Sequence, residues 1–353
     1  MWKWLLLFVP IAVALEYLAP EHHLLVFLAA AIGLLPLAIW LGRATEQLAD
    51  RSGEGIGGLL NATFGNAAEL IIALAALRAG LHDVVKATIV GSIVGNILLV
   101  LGAAMLAGGI RHVEQHFNAS GARAQATMLT LAAIALIIPA AYSALVAGLI
   151  PAGQRILSIS ISIILLTVYG AFLLFSLWTH SILFVGTALP EQGDHAKPWP
   201  FRQSITVLAG ATVAIAWLSE ILVSALEPSA RELGLSNVFV DVFLVALLGN
   251  AAEHASAITA AMKNRMDLSL SIAIGSSVQV ALFVAPLLML ASVLVGPAPM
   301  YLVFTKGLLL AVILAILITG QVAGDGRSDW LKGIQLLAVY LILGVAFFMT
   351  PEP

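Results

Sequence analysis

Long runs of apolar residues, separated by short polar stretches, recur from one end of this chain to the other. Each run is about 20 residues long, which lets a helix cross roughly 30 Å of hydrocarbon. The pattern predicts an all-α polytopic membrane protein with about 11 transmembrane helices, one extra N-terminal helix plus two five-helix halves. The predicted spans are 3–19, 23–45, 56–79, 84–108, 123–149, 155–182, 203–226, 237–262, 268–295, 299–322 and 329–350.

The composition agrees with a membrane protein. Hydrophobic residues make up 61% of the chain and charged residues only 10%, whereas soluble proteins have about 25% charged residues. The absence of cysteine excludes disulfides, thiolate metal sites and cysteine catalysis. The net charge of −3 and the lack of a basic run predict no nucleic-acid partner. We expect the lipid bilayer as a partner and no cofactor.

Lysine and arginine positions predict the orientation of the chain. Eleven of them fall in loops on the side of the N-terminus and four on the opposite side, and such residues concentrate on the cytoplasmic side. We therefore expect a cytoplasmic N-terminus. The first run lacks a clear cleavage site, so we expect a retained helix rather than a signal peptide. The compact chain favours a bacterial inner (cell) membrane, with an organelle membrane left open.

One five-residue motif occurs twice in the chain. The segments Gly65–Glu69 and Gly249–Glu253 have the same sequence, 184 positions apart. Further matches at this spacing are Asp83 with Asp267 and Gly91-Ser92 with Gly275-Ser276. The chain therefore reads as two related halves, and a half of five helices must enter from the opposite face, which makes the repeats inverted as in many transporters. We predict an N-terminal extra helix at 1–20, a first repeat at 21–185, a cytoplasmic linker at 186–202 and a second repeat at 203–353.

Each copy of the motif places a carboxylate within a membrane-spanning run, where an acidic side chain is costly and usually functional. Asn66 lies three residues before Glu69, and Asn250 three before Glu253, so each pair shares a helix face. The preceding glycine in each copy can loosen the helix and free backbone carbonyls. The next predicted helix of each half adds polar side chains on one face, namely Ser92 and Asn96 in the first half and Ser276 and Gln279 in the second.

These residues offer oxygen ligands and no thiolate. Calcium prefers six to eight oxygen ligands, whereas zinc and copper prefer imidazole or thiolate. Without a bound ion, the two ionised carboxylates would repel each other at low dielectric. A divalent cation or protons can each neutralise this pair of charges. We therefore predict that Glu69 and Glu253 meet near the membrane midplane, act as the metal ligands, and exchange a cation for protons.

The motif and its surroundings resemble a known family. The stretches Asn61–Ile71 and Gly249–His254 resemble the two α-repeat signatures of the calcium/proton exchangers, within the calcium/cation antiporter superfamily. Residues 91–102 and 275–283 resemble the partner helices of that family. Sodium/calcium exchangers are similar but usually have a proline before the repeat glutamate, where this chain has Ala68 and Ala252.

The resemblance implies exchange of Ca2+ for H+ by alternating access, with Glu69 and Glu253 as cation ligands and proton carriers. Two features depart from the family pattern. Gly95 stands where serine is frequent, and the short linker has only Glu191 and Asp194 as acidic residues. We expect the second half to coordinate the bound cation more fully than the first half does. We also expect no calcium-sensing segment in the linker.

Three further residues are candidates for an access path: Glu220, a lone acid in the seventh span, Glu46 near the end of the second, and His254 beside Glu253. Packing is the alternative for His254, which points about 100° away from its neighbour on a helix, and a solvated face is the alternative for the two glutamates. Three aspartates near helix starts are interpreted as caps that favour the helix dipole: Asp83, Asp241 and Asp267.

Other functions stay open at this point. An exchanger of Mn2+, Na+ or K+ against H+ is an open alternative, because ligand count and cage size are not readable from the sequence. A passive cation channel is a less favoured alternative, since inverted halves are typical of transporters. A membrane enzyme is disfavoured, because the sequence shows no catalytic motif at membrane depth. The sequence leaves a homo-oligomer open.

Overall fold

The computed structural model describes residues 2–52, 54–146, 151–181 and 199–350. Almost all of these residues are helical, as the apolar runs predict. The helices of the N-terminal part are α1 (Phe8–Leu18), α2 (His23–Ser52), α3 (Glu54–Phe64), α4 (Ala67–Arg78), α5 (His82–Val94), α6 (Leu101–Arg111), α7 (Ala119–Val146) and α8 (Pro151–Leu174). Those of the C-terminal part are α9 (Phe201–Leu233), α10 (Asn237–Phe239), α11 (Ala246–Gly249), α12 (Ala251–Met262), α13 (Met266–Gln279), α14 (Ala285–Ala291), α15 (Lys306–Val322) and α16 (Trp330–Phe348).

Several of these helices are long and apolar enough to cross a membrane. Among the described residues seven meet both conditions, and an eighth does if Asn237–Gly249 and Glu253–Met262 form one broken span. The chain is thus an all-α polytopic membrane protein. The count of 11 spans stays a prediction, because segments such as Trp4–Leu18 and Lys306–Val322 are shorter than a full crossing requires.

Irregular backbone recurs at the spacing of the sequence repeat. A π turn at Gly95–Val100 joins α5 to α6, and another at Val280–Val284 joins α13 to α14. Likewise, α3 and α4 are separated at Gly65 and Asn66, and α11 and α12 at Asn250. Further π turns lie at Phe175–Thr179 and Val240–Val245. The related positions therefore share backbone shape as well as sequence.

The chain divides into two compact units. Unit 1 comprises Met1–Thr88, Leu189–Ala252 and Ala346–Pro353. Its centre is the long contact between α2 and α9, flanked by α1, α4 and α11. Gly33 permits this contact, because a Cβ built there would lie 2.9 Å from Cδ2 of Leu218. Leu34, Leu41 and Ile215 are almost fully buried in this core.

Unit 2 comprises Ile89–Ala188 and Glu253–Val345. In it α13 packs against α6 and α7, α14 packs against α8, and α15 packs against α7. Gly333 lets α16 approach α6, because a Cβ at Gly333 would collide with the backbone nitrogen of Leu106. Two short antiparallel strands, β1 (Gln115–His116) and β2 (Arg327–Ser328), pair across two connecting loops.

Each unit gathers segments from both predicted repeats. The boundaries at 1–20, 21–185, 186–202 and 203–353 therefore stay predictions of the sequence. Most of the predicted linker, up to residue 198, lies outside the described residues.

Candidate functional site

The first copy of the motif interrupts a membrane helix. Helix α3 ends at Phe64, Gly65 and Asn66 form a turn, and α4 begins at Ala67. Asn66 has φ −96° and ψ 21°, outside the helical region. Glu69 consequently lies in the first turn of α4, where free backbone N–H groups and the helix dipole favour negative charge. The expectation that the helix loosens at this glycine is confirmed.

Glu69 is buried in unit 1 against the second copy of the motif. Its side chain is 4% exposed, and Nδ2 of Asn250 donates a hydrogen bond to its Oε1. Gly249 lies beside it, and a Cβ at this position would collide with Cγ of Glu69. The glycine is therefore needed for space, because any larger residue would push the carboxylate away from Asn250. Asn66 is also buried, at 2% exposure.

The second copy has the same break. Helix α11 ends at Gly249, Asn250 adopts φ −103° and ψ 5°, and α12 begins at Ala251. Glu253 thus occupies the first turn of α12, as Glu69 does in α4. It is partly buried, and its carboxylate is hydrogen-bonded to the side chain of Ser276.

A chain of polar side chains continues from Glu253 through unit 2. Nδ2 of Asn96 donates to Oγ of Ser276 at 3.1 Å, and Nε2 of His254 lies 3.1 Å from Oδ1 of Asn96. Asn96 lies within a π turn, an irregularity that is frequent at functional sites. Glu253, Ser276, Asn96 and His254 therefore form one connected cluster drawn from both predicted repeats.

The remaining predicted ligands lie on the expected helices. Ser92 is buried on α5, with 2% exposure, and Gln279 is partly buried at the end of α13. Each makes at least one hydrogen bond or other interaction. Their role as cation ligands stays a prediction, as does that of Glu69 and Glu253.

The described residues contain no group of three or more His, Asp or Glu side chains that could hold a metal ion. A cation bound here would have to take much of its coordination from amide, hydroxyl and backbone oxygens. Calcium accepts such ligands readily.

A cavity of about 500 Å3 lies between α4 and α9 in unit 1, and we call it the α4–α9 cavity. Nη1 of Arg78 and Oε1 of Glu220 form an ion pair of 2.8 Å at this cavity. The sequence singled out Glu220 and missed Arg78, because the two residues are far apart in the chain. Glu46 is exposed near the end of α2. The residues lining the cavity are Ala75, Arg78, Ala79, Leu81, Glu220, Val223, Ser224, Glu227 and Pro228.

The interpretation of Asp241 as a helix cap is wrong. Ser236 is the cap, because its hydroxyl accepts a hydrogen bond from the backbone N–H of Phe239. Asp241 lies deeper, at 2% exposure, and its Oδ1 has no hydrogen-bond partner among the described residues.

Asp267 accepts from the backbone N–H of Asn118 at 2.6 Å and so fixes a neighbouring loop. Asp83 lies in the first turn of α5, exposed, as expected of a residue at a helix start.

Comparison with known proteins assigns the family. The sodium/calcium exchanger protein family matches residues 22–178 and 203–349. A Ca(2+)/H(+) antiporter of Aphanothece halophytica is 45% identical, covering 98% of this chain and 96% of that protein. The Ca(2+)/H(+) antiporter ChaA of Bacillus subtilis is 42% identical, covering 92% of each.

Solved structures agree with this assignment. The structure of native YfkE is 39% identical and superposes with a TM-score of 0.84, covering 99% of this chain and 100% of that one. The H+/Ca2+ exchanger CAX, at 16% identity and a TM-score of 0.73, shares the fold over 98% of this chain and 90% of its own. By sequence and by fold, then, this chain belongs to the sodium/calcium exchanger protein family and, within it, to the calcium/proton exchangers.

Proposed function

We propose that this protein is a secondary active transporter that exchanges Ca2+ for H+ across a membrane by alternating access. Glu69 and Glu253 are the carboxylates that bind either the cation or protons. One observation supports this most strongly: both copies of the motif break a membrane helix and place the glutamate in the first turn of the half-helix that follows. Transporters build ion sites from such discontinuous helices. The relatives that bear the name Ca(2+)/H(+) antiporter support the choice of ions.

The proposed exchange follows from charge balance. A carboxylate within the membrane is stable only when a cation or a proton neutralises it. Two carboxylates match one Ca2+ ion or two protons, so release of one ligand favours binding of the other. The amide of Asn96 and the hydroxyl of Ser276 supply the neutral oxygens that a hard cation needs besides carboxylates. Ser92, Asn66, Asn250 and Gln279 are the further candidates for such ligands.

The test is ion flux in vesicles that contain the purified full-length chain. A pH gradient is imposed, and uptake of Ca2+, Mn2+, Na+ and K+ is compared, together with the proton movement that accompanies each. We expect Ca2+ uptake coupled to proton release and dissipated when the gradient is collapsed. Uptake of Mn2+ or a monovalent ion in preference to Ca2+ would assign a different exchanger, and cation flux without proton movement would indicate a channel.

Two variants make the result specific to the proposed carboxylates. The double variant Glu69→Gln/Glu253→Gln keeps side-chain volume but removes both charges, and it should show no exchange. Glu232→Gln changes an exposed glutamate at the end of α9 and should exchange like the parent chain. Normal exchange in the double variant would refute the proposed role of the two glutamates.

The protein acts in the inner membrane of a bacterial cell, with its N-terminus in the cytoplasm. The excess of lysine and arginine in loops on the N-terminal side supports this orientation. Reporter fusions at each terminus test it: a cytoplasm-dependent reporter should be active at the N-terminus, and activity of that reporter at the C-terminus would contradict an odd number of spans.

A further inference from the structure

Asp241 is a buried acid that the proposed exchange does not use. It is 2% exposed and lies in the broken span that begins at Asn237. Its Oδ1 has no hydrogen-bond partner in the described part of the chain. Burial disfavours an ionised carboxylate whose oxygen lacks a hydrogen-bond partner. The position therefore favours a ligand that neutralises the group.

The π turn at Val240–Val245 determines which face of the helix Asp241 occupies. Asp241 precedes Gly249 by eight residues, which in a regular α-helix would place the two about 80° apart. A π turn absorbs one additional residue. The rotation between Asp241 and Gly249 is therefore that of about seven α-helical residues, which is about two full turns. Asp241 thus lies on the face of Gly249, the residue in contact with Glu69, roughly 11 Å along the helix.

The opposite face of this helix is occupied by aromatic packing. Phe239 and Phe243 stack on each other at 5.2 Å between ring centroids. Phe348 and Phe347, at the end of α16, pack against them at 5.6 and 5.9 Å. No titratable group faces Asp241 from this side among the described residues. The aromatic contacts fix the rotation of the helix and so hold Asp241 away from α16.

The charged groups that act on Asp241 come from α9 and from the start of α5. Glu227 and Asp83 are close enough to repel its charge. Each has a cation of its own nearby: Arg231 lies 3.8 Å from Glu227, and Lys86 lies 3.9 Å from Asp83. Glu227 also lines the α4–α9 cavity. Helix α10, directly before Asp241, packs against α9, which lines this cavity on one side, and Asp241 lies about two turns along its helix from Gly249.

A proton suits this position better than a metal ion. Calcium requires six to eight oxygen ligands, and of the residues that share a helix face with Asp241, namely Asn237, Val238, Leu244 and Val245, only Asn237 carries a side-chain oxygen. A carboxylate with so few oxygen neighbours on its helix can bind one proton, taken from water in the cavity, and become a neutral acid. We propose that Asp241 is a third proton-binding carboxyl group, which takes up a proton from the α4–α9 cavity and passes it toward Glu69. This role rests on the proposed Ca2+/H+ exchange.

The test compares Asp241→Asn, which keeps the shape and removes the titrating group, with the parent chain and with Asp241→Glu. Initial Ca2+ uptake is measured while the pH on each side of the vesicle is varied separately. When the pH is varied on the side of the membrane that the α4–α9 cavity faces, we expect Asp241→Asn to shift the pH of half-maximal Ca2+ uptake by about one unit or more. Asp241→Glu should show the pH dependence of the parent chain. Saturating Ca2+ should still be transported by all three.

An infrared difference spectrum between acid and alkaline pH gives a readout that does not depend on transport. In the background of Glu69→Gln/Glu253→Gln, which removes both motif carboxyl groups, the band of a protonated, buried carboxylic acid should be present when residue 241 is Asp and absent in Asp241→Asn. An unchanged pH profile together with an unchanged carboxylic-acid band would overturn the role of Asp241. A lowered melting temperature of Asp241→Asn with both readouts unchanged would indicate structural packing, which also overturns it. Loss of Ca2+ transport in the parent chain would refute the exchange itself, while the infrared band would still report on Asp241.

Discussion

The two copies of the GNAAE motif have the same sequence and the same helix break, yet their glutamates have different partners. Glu69 is hydrogen-bonded to the amide nitrogen of Asn250, from the other copy, whereas Glu253 is hydrogen-bonded to the hydroxyl of Ser276. An amide nitrogen can only donate, while a hydroxyl can donate or accept. Either glutamate can accept from its partner whether or not it is protonated, but only the Ser276 hydroxyl can in turn accept a hydrogen bond from the protonated carboxyl group of its glutamate. Identical motifs can thus have different tasks.

The largest effect should come from neutralising either glutamate alone. Glu69→Gln and Glu253→Gln should each lower the rate of Ca2+/H+ exchange by at least about 100-fold, because a direct ligand matters more than residues that only support a metal ligand. Initial Ca2+ uptake in vesicles is the measurement, with Glu232→Gln as the matched control. If only one variant lost exchange, the second copy would be a scaffold.

A methyl group at Gly249 should have the next largest effect, and it acts on the first glutamate only. Gly249→Ala should weaken apparent Ca2+ affinity about tenfold and destabilise the fold by about 1–3 kcal/mol, because the new Cβ displaces Glu69. Ca2+ titration and thermal unfolding measure the two effects. Gly210→Ala, on α9 with open space around it, should leave both unchanged, and a harmless Gly249→Ala would contradict the close contact.

Removing the hydrogen-bond donors of Asn250 and Ser276 should affect the two copies of the motif differently. Asn250→Ala and Ser276→Ala should each weaken Ca2+ affinity about fivefold, corresponding to about 1 kcal/mol for one lost hydrogen bond. Only Ser276→Ala should also change the pH dependence of exchange, because its hydroxyl can follow both protonation states of Glu253. Ca2+ titrations at several pH values test this, and equal pH profiles in the two variants would show that the partners are interchangeable.

The smallest effect is expected at His254, which contacts Asn96 rather than a carboxylate. His254→Gln keeps a donor for Oδ1 of Asn96, so exchange should change by less than about twofold. His254→Leu removes the donor and should cost more. Uptake rates of the two variants, measured side by side, decide between a supporting contact and direct participation in transport.

Much of the fold was predictable because membrane helices are long and apolar. Helix positions followed from runs of about 20 hydrophobic residues, and the helix breaks followed from the glycines before Asn66 and Asn250. The carboxylates themselves stood out because acidic residues are rare within apolar runs. These signals are local in the sequence, so they need no knowledge of which helices pack together.

The partners of these residues were not predictable. The pairing of Asn250 with Glu69, and of Arg78 with Glu220, joins residues more than 140 positions apart. Only tertiary packing decides such contacts. The π turn that rotates Asp241 leaves no clear trace in the sequence either, so this acid near a helix start was taken for a cap. Its burial, together with the cap formed by Ser236, distinguishes it in the structure.

The paired π turns at Gly95–Val100 and Val280–Val284 have a consequence for how this protein can evolve. Each contains one residue more than a regular α-helix needs, so losing a single codon there would restore an unbroken helix. Because the π turn already absorbs that residue, the segments on either side of the deletion would keep their rotation relative to each other. A one-residue deletion would thus straighten the backbone at this point while leaving both halves of the helix facing the same neighbours.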